Sequence, residues 1–113
     1  MRPSLSSTRR PWRPAPAHPF RPYGATIGHW LEWARLTLHA RAALTAAGDV
    51  APTWMLDDAA ALFDAAVAEG WAVDGAPGFV YTVDWTGKTV VRERMHWVAA
   101  EGIAAAATLY AAT

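Results

Sequence analysis

The run of helix-forming residues between Thr26 and Gly48 is the feature that most constrains the fold of this chain. Its apolar residues fall on nearly every side of a helix with about 3.6 residues per turn. A helix that is apolar all round is normally buried among other helices rather than lying on a surface. We therefore predict a buried helix over residues 27–47, with Thr26 as its N-cap and Gly48 as its stop.

One polar pair stands near the start of this predicted helix. His29 and Glu32 are three residues apart, so their side chains lie beside each other on one helical face. An imidazole next to a carboxylate can act as a general acid and base near neutral pH. The same spacing also fits a structural pair, in which a buried histidine is hydrogen-bonded to the carboxylate. Spacing alone leaves both interpretations open.

Three further elements are predicted after the first helix. A second helix covers residues 53–69, between Pro52 and Gly70. Residues 78–92 carry β-branched and aromatic side chains on both sides of a glycine-containing turn, which is typical of a β-hairpin. The last helix begins near Trp97 and continues through an alanine-rich stretch to the end of the sequence.

The predicted order of elements is helix, helix, hairpin and helix, which is an all-α class with one hairpin inserted before the last helix. Two of the three helices are rich in alanine and the other is apolar on all sides. Together they have more apolar surface than they can bury against one another. We expect the chain to form part of a larger helical body, or to bury this surface in a swapped or oligomeric assembly.

The composition argues against several classes of function. Ten Lys and Arg balance ten Asp and Glu, so no net positive field attracts nucleic acid or an anionic membrane. No apolar run approaches the roughly 18 residues of a transmembrane helix, and the start lacks the apolar centre of a secretory signal. The absence of cysteine excludes disulfides and thiol catalysis and is compatible with a cytoplasmic protein. Residues 1–17, rich in Arg and Pro, are predicted to be a disordered leader.

A second group of polar and aromatic residues lies where the hairpin meets the last helix, in the run Arg92-Glu93-Arg94-Met95-His96-Trp97-Val98-Ala99-Ala100-Glu101. Trp97 and Glu101 share one helical face, and junctions of this kind often carry ligand-binding side chains. The structural alternative is that the two arginines pair with Glu93, that Trp97 belongs to the core, and that Glu101 pairs with an arginine.

Residue types that bind metals occur in both groups, namely His29, Glu32, His96 and Glu101. They do not follow a tight pattern such as His-Glu-x-x-His on one helix. We therefore expect neither a metal nor another cofactor.

Taken together, residues 21–36 and residues 94–101 resemble two motifs of the N-acylglucosamine 2-epimerase superfamily. They are most similar to its aldose-ketose isomerase branch, the mannose and sulfoquinovose isomerases, because His96-Trp97 stands where epimerases tend to carry a different, Trp-rich segment. The resemblance covers residues 18–113 and includes the hairpin, but not the earlier helical hairpins or the C-terminal segment of such enzymes. It implies part of an (α/α)6 barrel whose site lies in the mouth, where loops and hairpins gather.

The resemblance also implies roles for individual residues. His29 matches one of two histidines that act as general acid and base, and Glu32 matches the carboxylate beside it. Glu101 matches a glutamate of the sugar pocket, and Trp97 an aromatic neighbour. The remaining matches are expected to line or support the pocket: Arg21, Arg94 and His96, with Trp30 as a second flat face for the sugar. The second catalytic histidine lies in the C-terminal segment that this sequence does not match.

The expected reaction interconverts an aldose and a ketose, of the D-mannose and D-fructose type, through an enediol. The expected partner is a monosaccharide, with neither nucleic acid nor membrane. Three alternatives stay open: an inactive helical module that self-associates or binds a complementing barrel fragment, a module that binds sugar without turnover, and a C2 epimerase of N-acylglucosamine or a related sugar.

Overall fold

The computed structural model describes residues 24–113, and the predictions for residues 1–17 and for Arg21 lie outside this range. The elements in chain order are β1 (Ala25–Thr26), α1 (Ile27–Ala46), α2 (Trp54–Gly70), β2 (Thr82–Val83), β3 (Thr89–Val91) and α3 (His96–Ala112). All three predicted helices and the predicted hairpin are therefore confirmed. The observed helix ends lie within one residue of the predicted ends. Among the described residues, no helix is both long and apolar enough to cross a bilayer.

Helix α1 is the central element, because it packs against α2 on one side and α3 on the other, while α2 and α3 make little contact with each other. Its buried residues recur every three or four positions and form one stripe: Ile27, Gly28, Leu31, Ala34 and Leu38. The opposite side is exposed, with Trp33 61% accessible. The predicted burial of α1 on all sides is therefore not observed within residues 24–113, because α2 and α3 cover only part of its circumference.

The two ends of α1 are formed in different ways. Gly48 has φ of +85°, and the N–H groups of Gly48 and Asp49 donate to Thr45 and Leu44 carbonyls at 3.0 Å, which satisfies the last turn. Thr26 stands at the N-cap position, but its side chain makes no capping hydrogen bond. Thr26 instead belongs to β1, and the Ile27 N–H donates to the Tyr81 carbonyl at 3.0 Å. A sheet carbonyl therefore replaces the predicted side-chain cap.

The small sheet has the order β1-β2-β3, with both pairs antiparallel. Thr82 pairs with Thr26 on one side and with Val91 on the other, and an irregularity follows it before Val83. Its hydroxyl accepts a hydrogen bond from the Val91 N–H at 3.2 Å, and the side chain is fully buried. Strand β1 was not predicted, because two residues carry no alternating pattern that sequence reasoning could detect.

The main core lies where the sheet meets α1, α3 and the C-terminal end of α2, and consists of Ile27, Leu31, Ala66, Val80, Val83, Val98 and Ala105. A second cluster joins Ala34, Leu38 and Ala59. At the main core, Gly102 lets Phe79 approach α3 closely, since a Cβ at Gly102 would lie 2.9 Å from Phe79 Cε2. The sheet and the N-terminal ends of α1 and α3 therefore meet at one end of the helical layer.

Candidate active site

His29 and Trp97, one from each sequence motif, meet at this end of the helical layer. Their ring centroids are 5.5 Å apart, with the ring planes tilted by 42°. Tyr81, which follows Val80 in the hairpin segment, meets Trp97 edge to face at 6.2 Å. His29 is exposed and Trp97 is 38% accessible. The rings of His29, Trp97 and Tyr81 thus form a partly open group in which the His29 imidazole is accessible.

Gly28 is what allows the indole to lie this close to α1. A Cβ at Gly28 would overlap the Trp97 ring at Cη2 and Cζ3 and would lie 2.9 Å from Val98 Cγ2. Any side chain at this position would push the Trp97 ring or α3 away from α1. The alternative that Trp97 is an ordinary core residue does not describe this arrangement, because its ring contacts α1 and Tyr81 while the residue remains 38% accessible.

Glu32 lies one turn after His29 and is half-buried. Within residues 24–113, no hydrogen bond or ion pair joins its carboxylate to the His29 imidazole. The negative charge of Glu32 adds a little to the rise in the pKa of Arg35, whose main cause is the hydrogen bond that Arg35 donates to Glu101. An orienting contact between Glu32 and His29 would require another rotamer of one of these side chains.

Arg35 and Glu101 form a two-point ion pair that joins α1 to α3. Arg35 Nε donates to Glu101 Oε1 at 2.7 Å, and Arg35 Nη2 donates to Oε2 at 3.0 Å. Their side chains are only 23% and 18% accessible. The hydrogen bonds from Arg35 lower the pKa of Glu101, although desolvation acts in the opposite direction. This contact agrees with the structural alternative, in which Glu101 pairs with an arginine, and the partner lies 66 positions away in sequence.

Arg94 is bound to the loop after α2 rather than to Glu93, so the structural alternative of a local arginine–Glu93 pair does not hold for Arg94. Its guanidinium donates to both carboxylate oxygens of Asp74, at 2.6 and 3.0 Å, and to the carbonyls of Ala76, Pro77 and Arg92. The hydrogen bond from Arg94 is the main reason that the pKa of Asp74 falls to about 2. Asp74 was missed by sequence reasoning, since an aspartate in a Gly- and Pro-rich loop is ordinary turn chemistry.

The remaining predicted site residues are dispersed. His96 is exposed at the first position of α3. Trp30 lies on another side of α1 from His29, where it lines a groove of about 470 Å³ together with Asp58, Ala61, Leu62 and Ala65 of α2. The structure therefore does not bring Trp30 next to Trp97. In the described part of the chain, no three His, Asp or Glu side chains converge in the way a metal ion requires.

Arg35 is the second site residue that sequence reasoning did not single out. It stands within the motif of residues 21–36, and its place on α1, two turns after Gly28, was open to prediction. Its pairing with Glu101 could not be predicted from the sequence, because that pairing depends on how α3 packs against α1. The signal available in sequence was a lone glutamate on the helix face of Trp97.

Comparison with known proteins identifies the family of this chain. The family model described as N-acylglucosamine 2-epimerase (GlcNAc 2-epimerase) matches residues 7–113, a range that takes in part of the predicted leader. A D-mannose isomerase of Thermobifida fusca is 62% identical over 93 residues, which are 82% of this chain and 22% of that protein. A D-mannose isomerase of Pseudomonas cannabina pv. alisalensis is 58% identical over 97 residues, covering 86% of this chain and 23% of its own length.

A solved structure of a D-mannose isomerase superimposes with a TM-score of 0.77 at 36% identity, over 87% of this chain and 23% of that one. The chain thus spans somewhat less than a quarter of the length of these relatives. Its three helices and small sheet match part of the helical barrel of such enzymes. The chain belongs to the N-acylglucosamine 2-epimerase family of isomerases and epimerases.

Proposed function

We propose that this chain is part of an aldose-ketose isomerase of the D-mannose and D-fructose type, with His29 as a general acid and base. The observation that carries the proposal is the contact between His29 and Trp97, which brings together an accessible imidazole and a flat aromatic face from two separate motifs. Identities of 58–62% to D-mannose isomerases favour the isomerase over an epimerase.

The proposed chemistry is a proton transfer between neighbouring carbons. A base removes the proton from C2 of the open-chain aldose while O1 gains a proton, which produces an enediol. Loss of the O2 proton and return of a proton to C1 then give the ketose. Neutral imidazole accepts a proton and imidazolium donates one near neutral pH, so His29 suits both kinds of step. Glu32 is proposed to stabilise the imidazolium through its negative charge.

The other residues have binding and positioning roles in this proposal. Trp97 presents an apolar face to the C–H side of the sugar, and Glu101 accepts hydroxyl hydrogen bonds with the lone pairs that Arg35 leaves available. Arg94 has all five of its N–H groups bound to protein oxygens and supports the site rather than contacting sugar. Trp30 receives no sugar contact, because it faces α2. Arg21 and His96 are proposed to line the pocket.

The test is turnover in a chimera that carries this segment within a complete relative. Residues 18–113 replace the matching stretch of the Thermobifida fusca D-mannose isomerase, and conversion of D-mannose to D-fructose is measured. We expect the His29→Asn variant to lose about 10²–10⁴-fold in kcat, the usual contribution of a general acid or base. The matched control is His39→Asn, an exposed histidine on the same helix, which should change kcat by less than about twofold. Full turnover in the His29→Asn chimera would overturn the assignment.

Two alternatives are decided by the same material. N-acylglucosamine offered to the chimera tests the C2 epimerase, and epimerisation without formation of D-fructose would replace the proposed reaction. Binding of D-mannose to the 113-residue chain without turnover in the chimera would indicate a sugar-binding module. The exposed apolar residues of α1 and α3, Trp33 and Ile103 among them, favour as second candidate a helical module that binds another copy or a complementing barrel fragment.

A further inference from the structure

We infer that Asp74 and Arg94 form a clamp that positions Trp97 against His29. The clamp consists of the Arg94 guanidinium, the Asp74 carboxylate and the carbonyls of Ala76, Pro77 and Arg92. Asp74 and Arg94 are positioning residues, since neither touches the imidazole. The value of this contact for catalysis rests on the proposed function, whereas the positioning itself does not.

Every N–H group of the Arg94 guanidinium is hydrogen-bonded. Nε donates to the Pro77 carbonyl at 3.2 Å, Nη1 to Asp74 Oδ2 at 3.0 Å and to the Arg92 carbonyl, and Nη2 to Asp74 Oδ1 at 2.6 Å and the Ala76 carbonyl at 2.9 Å. An arginine has five N–H groups in a rigid planar arrangement, so all five are used here. A planar guanidinium with every N–H bonded is held in one orientation and joins the segments that supply its acceptors.

Both chain segments that the clamp joins continue directly to Trp97 or to its neighbour Tyr81. The loop of residues 72–78 continues directly into Phe79, Val80 and Tyr81, and the Tyr81 ring meets the Trp97 ring edge to face. Arg94 is followed by Met95, whose carbonyl accepts the first helical hydrogen bond of α3 from the Val98 N–H at 3.1 Å. The clamp therefore joins the segment that supports the indole to the segment that starts its helix.

The backbone of the loop of residues 72–78 fits closely around the Arg94 side chain. Gly78 has φ of +100°, and a Cβ there would lie 3.1 Å from Arg94 Cγ and 3.4 Å from Nε. Ala72, with φ of +52°, is the one residue other than glycine with positive φ among the described residues. Backbone in this region is strained for a residue that carries a Cβ, and it persists only where its surroundings hold it in place. The Ala72 N–H donates to the Gly78 carbonyl at 2.9 Å, which closes the loop.

The test measures the position of Trp97 by NMR on the 113-residue chain, without an assay of activity. The ring current of Trp97 shifts the imidazole Hε1 resonance of His29, which is assigned by its loss in His29→Asn. Trp97→Leu gives the full size of this effect. We expect Arg94→Lys, which keeps the charge but loses the planar fork, and Asp74→Asn each to remove at least about half of it. Asp84→Asn is the matched control, because within residues 24–113 that carboxylate binds only groups of its own hairpin turn.

Two results would overturn the inference. One is an unchanged Hε1 shift in both clamp variants. The other is a general loss of helical circular dichroism in Asp74→Asn, the milder change, because the clamp would then hold the whole fold instead of one contact. Failure of the chimera to convert D-mannose would count against the proposed function and leave the clamp untouched, so the two proposals fail separately.

Discussion

At the scale of single residues, the ion pair between Arg35 and Glu101 makes stability depend on pH. Arg35 lowers the pKa of Glu101 from its ordinary value of 4.5. A carboxyl whose pKa is lower in the folded state stabilises that state above the ordinary pKa, and this contribution is lost as the pH falls through the folded-state pKa. The Arg35–Glu101 pair is therefore a stabilising contact near neutral pH and ceases to be one in acid.

We predict that Glu101→Gln reduces the loss of unfolding free energy between pH 7 and pH 3. The variant has no carboxyl that must take up a proton on unfolding in acid. The measurement is urea denaturation at a series of pH values. The double variant Arg35→Met, Glu101→Gln should show the same slope as Glu101→Gln, since the two side chains act as one pair. If Glu101→Gln lost as much unfolding free energy between pH 7 and pH 3 as the unchanged chain, the ion pair would not contribute to the pH dependence of stability.

At the scale of elements, the packing of α1 against both other helices holds the described structure together. Leu31 is fully buried on the inner stripe of α1, whereas Leu36 lies on its outer side and is 38% accessible. The two leucines allow the two sides of one helix to be compared by the same substitution.

We predict that Leu31→Ala lowers the free energy of unfolding by about 2–5 kcal/mol, from lost burial and the cavity left behind. Leu36→Ala, the matched control, should cost less than about 1 kcal/mol. Chemical denaturation followed by circular dichroism measures both. Equal effects of the two substitutions would contradict the central position of this stripe.

At the scale of the whole molecule, large apolar side chains lie on outer helix faces. Trp33 is 61% accessible on α1, and Ile103 is 73% accessible on α3. In the solved D-mannose isomerase the matched segment is 23% of a longer chain. Surfaces of this kind favour association with other helices, because apolar area removed from water stabilises a complex.

We predict that the 113-residue chain self-associates reversibly, and that Trp33→Gln and Ile103→Gln each weaken the association by at least about tenfold. Sedimentation velocity over a range of concentrations measures this. Trp85→Gln is the control, because Trp85 is exposed at the hairpin turn rather than on a helix face. A monodisperse monomer at every concentration would contradict this prediction and count against a module that self-associates.

The helices, the hairpin and the family could be predicted from the sequence alone, because they are recognised by local patterns. The apolar period of α1, its stop at Gly48 and the two motifs of residues 21–36 and 94–101 are all readable over a few turns of chain. The placement of His29 and Trp97 on the first turns of their helices follows from the same patterns.

Which side chains meet depends on tertiary packing and could not be predicted from the sequence. The pairs Arg35–Glu101 and Arg94–Asp74, the contact of Trp97 with His29, and the turn of Trp30 toward α2 all join segments that are distant in sequence or depend on such packing. Strand β1 likewise exists only because β2 pairs with it. A local pattern fixes the face on which a side chain lies, but the group opposite that face depends on how separate elements pack together.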